Sequence, residues 1–95
     1  MQFQYFFGTG TGTGALNLPR GAFIDPNDRL FVVDAVGQNV KVYNVAGNQP
    51  VFMYSFGDIG IGDGQFNYPI DVALYGTGTI YIADRDNNRI QVWSY

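Results

Sequence analysis

The stretch Asp71–Tyr95, DVALYGTGTIYIADRDNNRIQVWSY, decides the fold of this chain. It contains three short apolar runs, Val72–Leu74, Ile80–Ala83 and Ile90–Trp93, separated by glycine, aspartate and asparagine. Runs rich in β-branched and aromatic residues and bounded by such turn residues are typical of short strands joined by tight turns. The stretch therefore predicts a small antiparallel sheet.

A second copy of this pattern lies fifty positions upstream. The matched pairs are Ile24/Leu74, Leu30/Ile80, Val32/Ile82, Asp34/Asp84, Val40/Ile90, Val42/Val92 and Tyr43/Trp93, together with Pro19/Pro69 and Gly14/Gly64. Self-similarity at a fixed period of this size is the sequence signature of a repeat architecture.

A fourth strand type is also duplicated. Val51–Phe56 reads as a strand, and Gln2–Phe7 resembles it because both segments end in a Phe-Gly pair. The sequence therefore predicts eight strands in the order one, three, one, three. No segment shows a sustained 3.6-residue apolar period with caps, so no helix is expected.

Composition narrows the possible functions. The 95 residues allow one small domain, and 14% of them are charged against about 25% in an ordinary domain. A net charge of −3 with five scattered cations argues against a nucleic-acid partner, which needs a basic surface. The chain has no cysteine or histidine, which excludes thiolate sites and the commonest general base.

The sequence carries no sign of a membrane partner. No apolar run approaches the ~18 residues that span a bilayer, and no basic region followed by an apolar segment marks a signal peptide. The compartment stays open, since a mature exported chain would have lost such a signal.

These motifs resemble the NHL repeat, a β-propeller module. The second repeat carries the resemblance best, through Phe56-Gly57, Gly62-Asp-Gly64, Phe66, Pro69, Asp71-Val-Ala-Leu74, Gly78, Ile80-Tyr-Ile-Ala-Asp84, Asn87 and Arg89-Ile-Gln-Val-Trp93. The first repeat has Gly37 and Asn39 where the family prefers asparagine and arginine. The resemblance covers essentially the whole chain and implies an all-β propeller of four-stranded antiparallel blades, usually six to a ring.

The chain has only two such repeats, about 7–56 and 57–95. Two blades alone would expose an apolar face at each end, whereas three copies would supply six blades. We therefore expect a homotrimer with head-to-tail contacts, or an open polymer if the blade rotation does not close.

The second repeat lacks a fourth strand after it, and the segment 2–7 is a fourth strand without a blade of its own. We expect this segment to cross between subunits and complete the neighbour's last blade. The predicted interface residues are Gln2, Phe3, Gln4, Tyr5, Phe6, Phe7, Arg89, Ile90, Gln91, Val92 and Trp93.

Polar residues at the strand ends are predicted to be structural. Asp34 and Asp84 should accept backbone N–H bonds in the turn after the second strand of each repeat, with Asn87 as a further turn residue and Arg89 as a partner for Asp84. The glycine runs 8–14 and 57–64 read as crossover loops rather than phosphate cradles, because no helix follows them. The basic residues are expected to be solvated; they are Arg20, Arg29, Lys41, Arg85 and Arg89.

No catalytic, metal or cofactor site is predicted. Asp58, Asp63, Asp71 and Asp86 are acidic loop candidates, and Asp71 stands at the entry to the strand that would line a propeller channel. Carboxylates repeated around a channel can bind a cation, but most aspartates are simply exposed.

The sequence favours a non-enzymatic building block that acts as a scaffold or protein-interaction module. The alternatives are a subunit of an extracellular structural filament and a metal-dependent propeller of the lyase or hydrolase kind. Met1 and the stop after a third strand favour a complete unit over a fragment of a longer propeller.

Overall fold

The computed structural model describes residues 1–76 and 78–95. Strands make up nearly all of its regular structure, and a 3₁₀ turn at Arg85–Asn87 is the one helical element within those residues. The strands are β1 (Pro19–Ile24), β2 (Arg29–Asp34), β3 (Asn39–Asn44), β4 (Val51–Phe56), β5 (Asp58–Ile59), β6 (Gln65–Phe66), β7 (Pro69–Tyr75), β8 (Thr79–Asp84) and β9 (Arg89–Ser94).

The longer strands form two antiparallel sheets. β1 to β4 pair in sequence order and are called blade 1 below; β7 to β9 pair in sequence order and are called blade 2. β5 and β6 form a two-residue parallel pair in the crossover between them. The expectation of an all-β chain with antiparallel sheets is confirmed.

The fifty-residue repeat reappears in the strand register. Pro19 lies opposite Asp34, and Pro69 lies opposite Asp84. β1 and β7, the first strand of each blade, both have a register irregularity directly after this proline. Proline has no N–H to donate to the ladder, so a strand start is one of the few places in a sheet that tolerates it.

The core lies where one blade packs on the other. Alternate residues of β2 and β3 face the same side of blade 1, since side chains alternate along a strand. They form one buried cluster with residues of blade 2 and of the crossover, whose members are Phe31, Val33, Val40, Val42, Phe66, Val72, Ile80 and Ile82.

The structure differs from the sequence prediction in the outer strands. Residues 2–7 form no strand. The single chain therefore has seven of the eight predicted strands, and blade 2 has three strands instead of four. The short β5–β6 pair and the 3₁₀ turn carry no periodic signal and were not predicted.

Ile82 provides a test of the blade-on-blade core. Its side chain is fully buried, so we expect Ile82→Asp to lower the free energy of unfolding by roughly 3–5 kcal/mol, because a carboxyl group would be buried without a partner. Urea unfolding at a fixed protein concentration measures the change.

Ile61→Asp is the matched control, since Ile61 is 80% exposed in the crossover. This variant should stay within about 0.5 kcal/mol of the parent chain. Equal stability of the two variants would mean that the core has been placed on the wrong face of β8.

Candidate turn sites and assembly interface

Asp34 ties three segments of blade 1 together. Its side chain is fully buried. Oδ1 accepts bonds from the backbone N–H groups of Leu18 (2.8 Å) and Gly37 (3.1 Å), and Oδ2 accepts one from Asn17 (3.0 Å). The Lys41 ammonium donates to Oδ2 at 2.9 Å. This one carboxylate thus joins the crossover loop, the turn after β2 and strand β3.

Asp84 has the same place in blade 2 with a different set of donors. Oδ1 accepts the backbone N–H of Asn67 at 2.7 Å. Oδ2 accepts bonds from Asn87 Nδ2 at 2.8 Å, Arg89 Nε at 2.9 Å and Gln91 Nε2 at 3.2 Å. Blade 2 therefore satisfies its buried carboxylate mainly with side chains, whereas blade 1 relies mainly on backbone groups.

Both carboxyl groups stay ionised to low pH. Burial by itself raises the pKa of Asp84, but the bonds from Asn67, Asn87, Arg89 and Gln91 outweigh it and leave the pKa below its usual value. The pKa of Asp34 is lowered in the same way, with burial opposed by the Lys41 bond and by three backbone N–H bonds. Hydrogen bonds to the charged form produce such a shift.

Arg89 also holds the crossover loop. Its Nη1 donates to the carbonyl of Ile61 at 3.2 Å, and Nη2 donates to the carbonyls of Gly62 at 2.8 Å and Gln65 at 2.7 Å. Asn87 adds a bond from Nδ2 to the carbonyl of Gly60 at 2.9 Å.

The expectation that the basic residues are simply solvated is wrong for Lys41, Arg29 and Arg89, each of which pairs with a buried carboxylate. Lys41 is 6% exposed, because its ammonium is paired with Asp34 and bonded to Asn39 Oδ1 at 2.9 Å. Arg29 pairs with the buried Asp25 at 2.8 Å. The sequence shows no charge pattern that marks a cation paired with a buried carboxylate, and this explains the error.

Asp25, Arg29 and Tyr95 connect blade 1 to the end of blade 2, a contact that the sequence does not predict. The Arg29 guanidinium carbon lies 4.8 Å from the centre of the Tyr95 ring, and that ring packs on Phe31 at 5.2 Å. The Tyr95 hydroxyl donates to Asp25 Oδ2 at 3.4 Å. The Asp-Pro-Asn-Asp turn at 25–28 predicts local bonds to Asp25, but nothing in the sequence pairs it with the last residue.

The acidic loop residues do not come together. Within the described part of the chain, no group of three or more His, Cys, Asp or Glu side chains is placed to hold a metal ion. Asp71 is exposed, and its Oδ1 accepts the N–H of Val72 at 2.8 Å. A Cβ at Gly21 would lie 2.5 Å from Asp71 Oδ1, which explains why glycine stands at the matching position of the first repeat.

The two halves of the predicted strand-exchange interface lie apart in one chain. Among the described residues, no hydrogen bond or ring contact joins the segment 2–7 to Arg89–Trp93. On β9, Ile90 and Val92 are 60% and 62% exposed, and their strand pairs only with β8. The described residues include no helix with the length and apolar character needed to cross a membrane.

Phe7 has a defined position at the start of blade 1. Its ring meets Tyr43 edge-on with the centroids 5.1 Å apart. In blade 2, Phe56 meets Trp93 at 4.8 Å; Phe56 follows Phe7 by 49 residues and Trp93 follows Tyr43 by 50. The glycines that follow repeat as well, since a Cβ at Gly8 would strike Leu16 and one at Gly57 would strike Phe66. Phe7 therefore packs on blade 1 as Phe56, the last residue of β4, packs on blade 2.

Comparison with known proteins agrees with this repeat. Residues 66–93, from the end of the crossover through β9, match the model of the NHL repeat. The chain is 29% identical over 87 residues to mouse NHL repeat-containing protein 3, covering 90% of this chain and 25% of that protein. The human protein of the same name is 29% identical over 76 residues, with 79% and 22% covered.

A shorter match joins the chain to the B-box type zinc finger protein ncl-1 of Caenorhabditis elegans. The two are 44% identical over 43 residues, which cover 45% of this chain and 5% of that protein. The chain therefore carries an NHL repeat, and the resemblance drawn from its motifs is confirmed. It spans about a quarter of the length of the mouse and human relatives.

The lowered pKa of Asp84 predicts a pH dependence of stability. The carboxylate stabilises the folded chain fully above its unfolded pKa of about 3.9, and this contribution is lost as pH falls through the lower folded pKa. We expect Asp84→Asn to lower the free energy of unfolding at pH 7 by about 2–4 kcal/mol. The variant should also lose less stability than the parent chain between about pH 4 and 2.

Urea unfolding of both chains from pH 7 to pH 2 measures the two effects. Asp63→Asn is the control, because Asp63 is exposed in the crossover loop, and it should leave stability within about 0.5 kcal/mol. If Asp84→Asn is as stable as the parent chain at neutral pH, the bonds to Asp84 do not hold the blade.

Proposed function

We propose that this chain is a non-enzymatic NHL-type propeller building block. Copies associate head to tail into a closed homotrimer of about six blades, in which the segment 2–7 of each chain completes blade 2 of its neighbour. The ring acts as a scaffold or protein-interaction module.

The observation that carries this proposal is the exposed outer face of blade 2. The face of blade 1 that packs on blade 2 is fully buried at Phe31, Val33, Val40 and Val42. Fifty residues on, the corresponding face of blade 2 is open, with Tyr81 41% exposed, Ile90 60% exposed and Val92 62% exposed. A contiguous apolar face of this kind marks an interaction surface.

The opposite side of blade 1 corresponds in position to the side of blade 2 that blade 1 covers, and Ile24 is 53% exposed there, whereas Val32 is buried by the chain itself. Leu30 and Val32 occupy on β2 the positions that Ile80 and Ile82 occupy on β8, and Ile80 and Ile82 are the residues that receive blade 1 in the core. Blade 1 of one copy is therefore suited to cover blade 2 of another, in the arrangement that joins the blades inside one chain. Such contacts are heterologous, so a rotation that closes yields a ring.

The position of Phe7 supports the exchange of the N-terminal segment. Phe7 packs on Tyr43, which alternates with the core residue Val42 on β3 and so faces away from blade 2. Residues 2–6 thus begin on the side where the preceding blade belongs. In a closed ring that blade is blade 2 of the neighbouring copy, which has the unpaired edge at β9.

The register of the exchange follows from blade 1. There β3 and β4 pair with Val42 opposite Tyr54 and Val40 opposite Phe56. The same offsets place Tyr5 of one copy opposite Val92 of its neighbour, and Phe7 opposite Ile90. Main-chain bonds along this edge would satisfy the free N–H and C=O groups of β9.

The use of the buried carboxylates supports a non-enzymatic role. Both oxygens of Asp34 and of Asp84 accept hydrogen bonds from the protein, which leaves neither group free to serve as a base. The aromatic and apolar surface of the exposed blade face suits contact between proteins instead.

The solution mass tests the assembly. We expect light scattering to give three times the 10.5 kDa chain mass, because three pairs of blades close a six-bladed ring. A stable monomer at micromolar concentration would contradict the proposal, and a larger or growing mass would indicate an open filament.

A disulfide tests the strand exchange directly, since the chain has no native cysteine. The double variant Tyr5→Cys with Val92→Cys should form covalent trimers under oxidising conditions, because the proposed register sets these positions side by side. Gln4→Cys with Val92→Cys is the control, displaced by one residue, and should cross-link far less. Cross-linked protein that migrates as a monomer would show that the segment folds back on its own chain.

A further inference from the structure

The two blades hold their crossover loops differently. In blade 2, the Arg89 guanidinium bonds to the carbonyls of Ile61, Gly62 and Gln65. Gln91 Nε2 donates to the carbonyl of Gln65 as well. The loop carbonyls of blade 2 therefore point inward and are occupied by side-chain donors.

In blade 1 those donors are missing. Asn39 and Lys41 stand at the positions of Arg89 and Gln91, and the Lys41 ammonium is directed to Asp34 and Asn39, both at 2.9 Å. Within residues 1–76 and 78–95, no side chain donates to the carbonyls of Thr11 and Ala15, which match Ile61 and Gln65.

An open groove of about 670 Å³ lies between the crossover loop and the outer half of blade 1, whereas its counterpart beside β9, which Arg89 lines, measures about 410 Å³. The presence of the fourth strand, β4, does not close the groove, because residues of β4 form part of its wall. Its polar lining is Thr11, Thr13, Asn17, Asn39, Lys41 and Ser55, and Phe52 adds an apolar side. A cleft of this size is in the range of small-molecule sites.

The net charge of the groove lining indicates whether a charged or an uncharged ligand would bind there. The Lys41 ammonium is 2.9 Å from the buried Asp34 carboxylate, so the pair is neutral and offers no excess positive charge to an anion. A second cation would be repelled by Lys41. The groove therefore suits an uncharged ligand that both donates and accepts hydrogen bonds.

We propose that this groove binds a neutral saccharide of one or two rings. Its hydroxyls donate to the carbonyls of Thr11 and Ala15 and accept from the Asn39 amide and from the third N–H of Lys41, since an ammonium has three donors. The C–H face of the sugar packs on Phe52.

The groove belongs to one chain and does not depend on the ring. The counterpart groove beside β9 is lined by Asp63, Gly64 and residues Arg89 to Trp93. None of these residues belongs to blade 1, although blade 1 packs directly against blade 2, so the neighbouring blade does not enter that groove. A neighbouring blade packed on blade 1 in the same way therefore leaves the groove open.

Nuclear magnetic resonance titration of the full chain tests the proposal. The probes are glucose, galactose, mannose, N-acetylglucosamine, lactose and cellobiose. We expect at least one of them to give saturable shift changes that cluster at the amides of residues 10–17 and 37–41. The absence of such changes with every probe at 50–100 mM, roughly the weakest binding worth assigning to a site, would overturn the proposal.

The variant Asn39→Arg with Lys41→Gln copies blade 2 and should fill the groove. We expect it to weaken binding of the responding sugar about tenfold or more, because the loop carbonyls would gain a donor from the protein. Asn48→Arg, in an exposed turn, should bind as the parent chain does. If the double variant does not fold, Asn39→Leu removes one donor and should also weaken binding severalfold; unchanged binding by either folded variant would place the sugar elsewhere.

Discussion

The packing of one blade on the next is the contact on which this structure depends. A blade of this kind is apolar on both faces, and a sheet that is apolar on both faces is stable in water only when both are covered. Inside the chain, Val33 and Val40 of blade 1 meet Ile80 and Ile82 of blade 2 in one dry cluster. That contact covers one face of each blade; on the outer face of blade 1, Val32 and Tyr43 are buried by the chain itself.

The covering of those outer faces is unequal. On blade 1 the N-terminal segment already shields part of the surface, through Phe7 on Tyr43 and through the bond from the Tyr43 hydroxyl to the carbonyl of Gly14 at 2.6 Å. On blade 2, Ile90 and Val92 remain in contact with water. This asymmetry gives the chain a distinct head and tail, which is the condition for ordered head-to-tail association.

A buried carboxylate joins several segments within each blade by hydrogen bonds. The donors differ between the two repeats, but the position of the carboxylate is the same. Asp34 and Asp84 stand at the same register position, and each receives four hydrogen bonds. A buried charge is tolerated only when its lone pairs are satisfied. Blade 2 meets that demand with Arg89, which also anchors the loop, whereas blade 1 meets it with Lys41 and leaves the loop carbonyls free.

The sequence by itself determined the strands and their repetition. Alternation of apolar residues over Leu30–Val33 and Ile80–Ala83, with turn residues between, is a local property of the chain and needs no knowledge of the fold. The fifty-residue period placed the corresponding strands of both blades. The Phe-Gly pairs also predicted a strand at 2–7, which the single chain does not form. The roles of Asp34 and Asp84 as turn acceptors follow from the same local chemistry.

Tertiary structure alone decided which charges are buried and which distant segments meet. Lys41 is buried beside its partner Asp34. Asp25 meets Tyr95, seventy residues away, because the Tyr95 ring packs on Phe31 of blade 1. Gly21 replaces the aspartate of the second repeat because the inner strands approach so closely there. Each of these outcomes depends on how one blade is set against the other, and that arrangement leaves no periodic trace in the sequence.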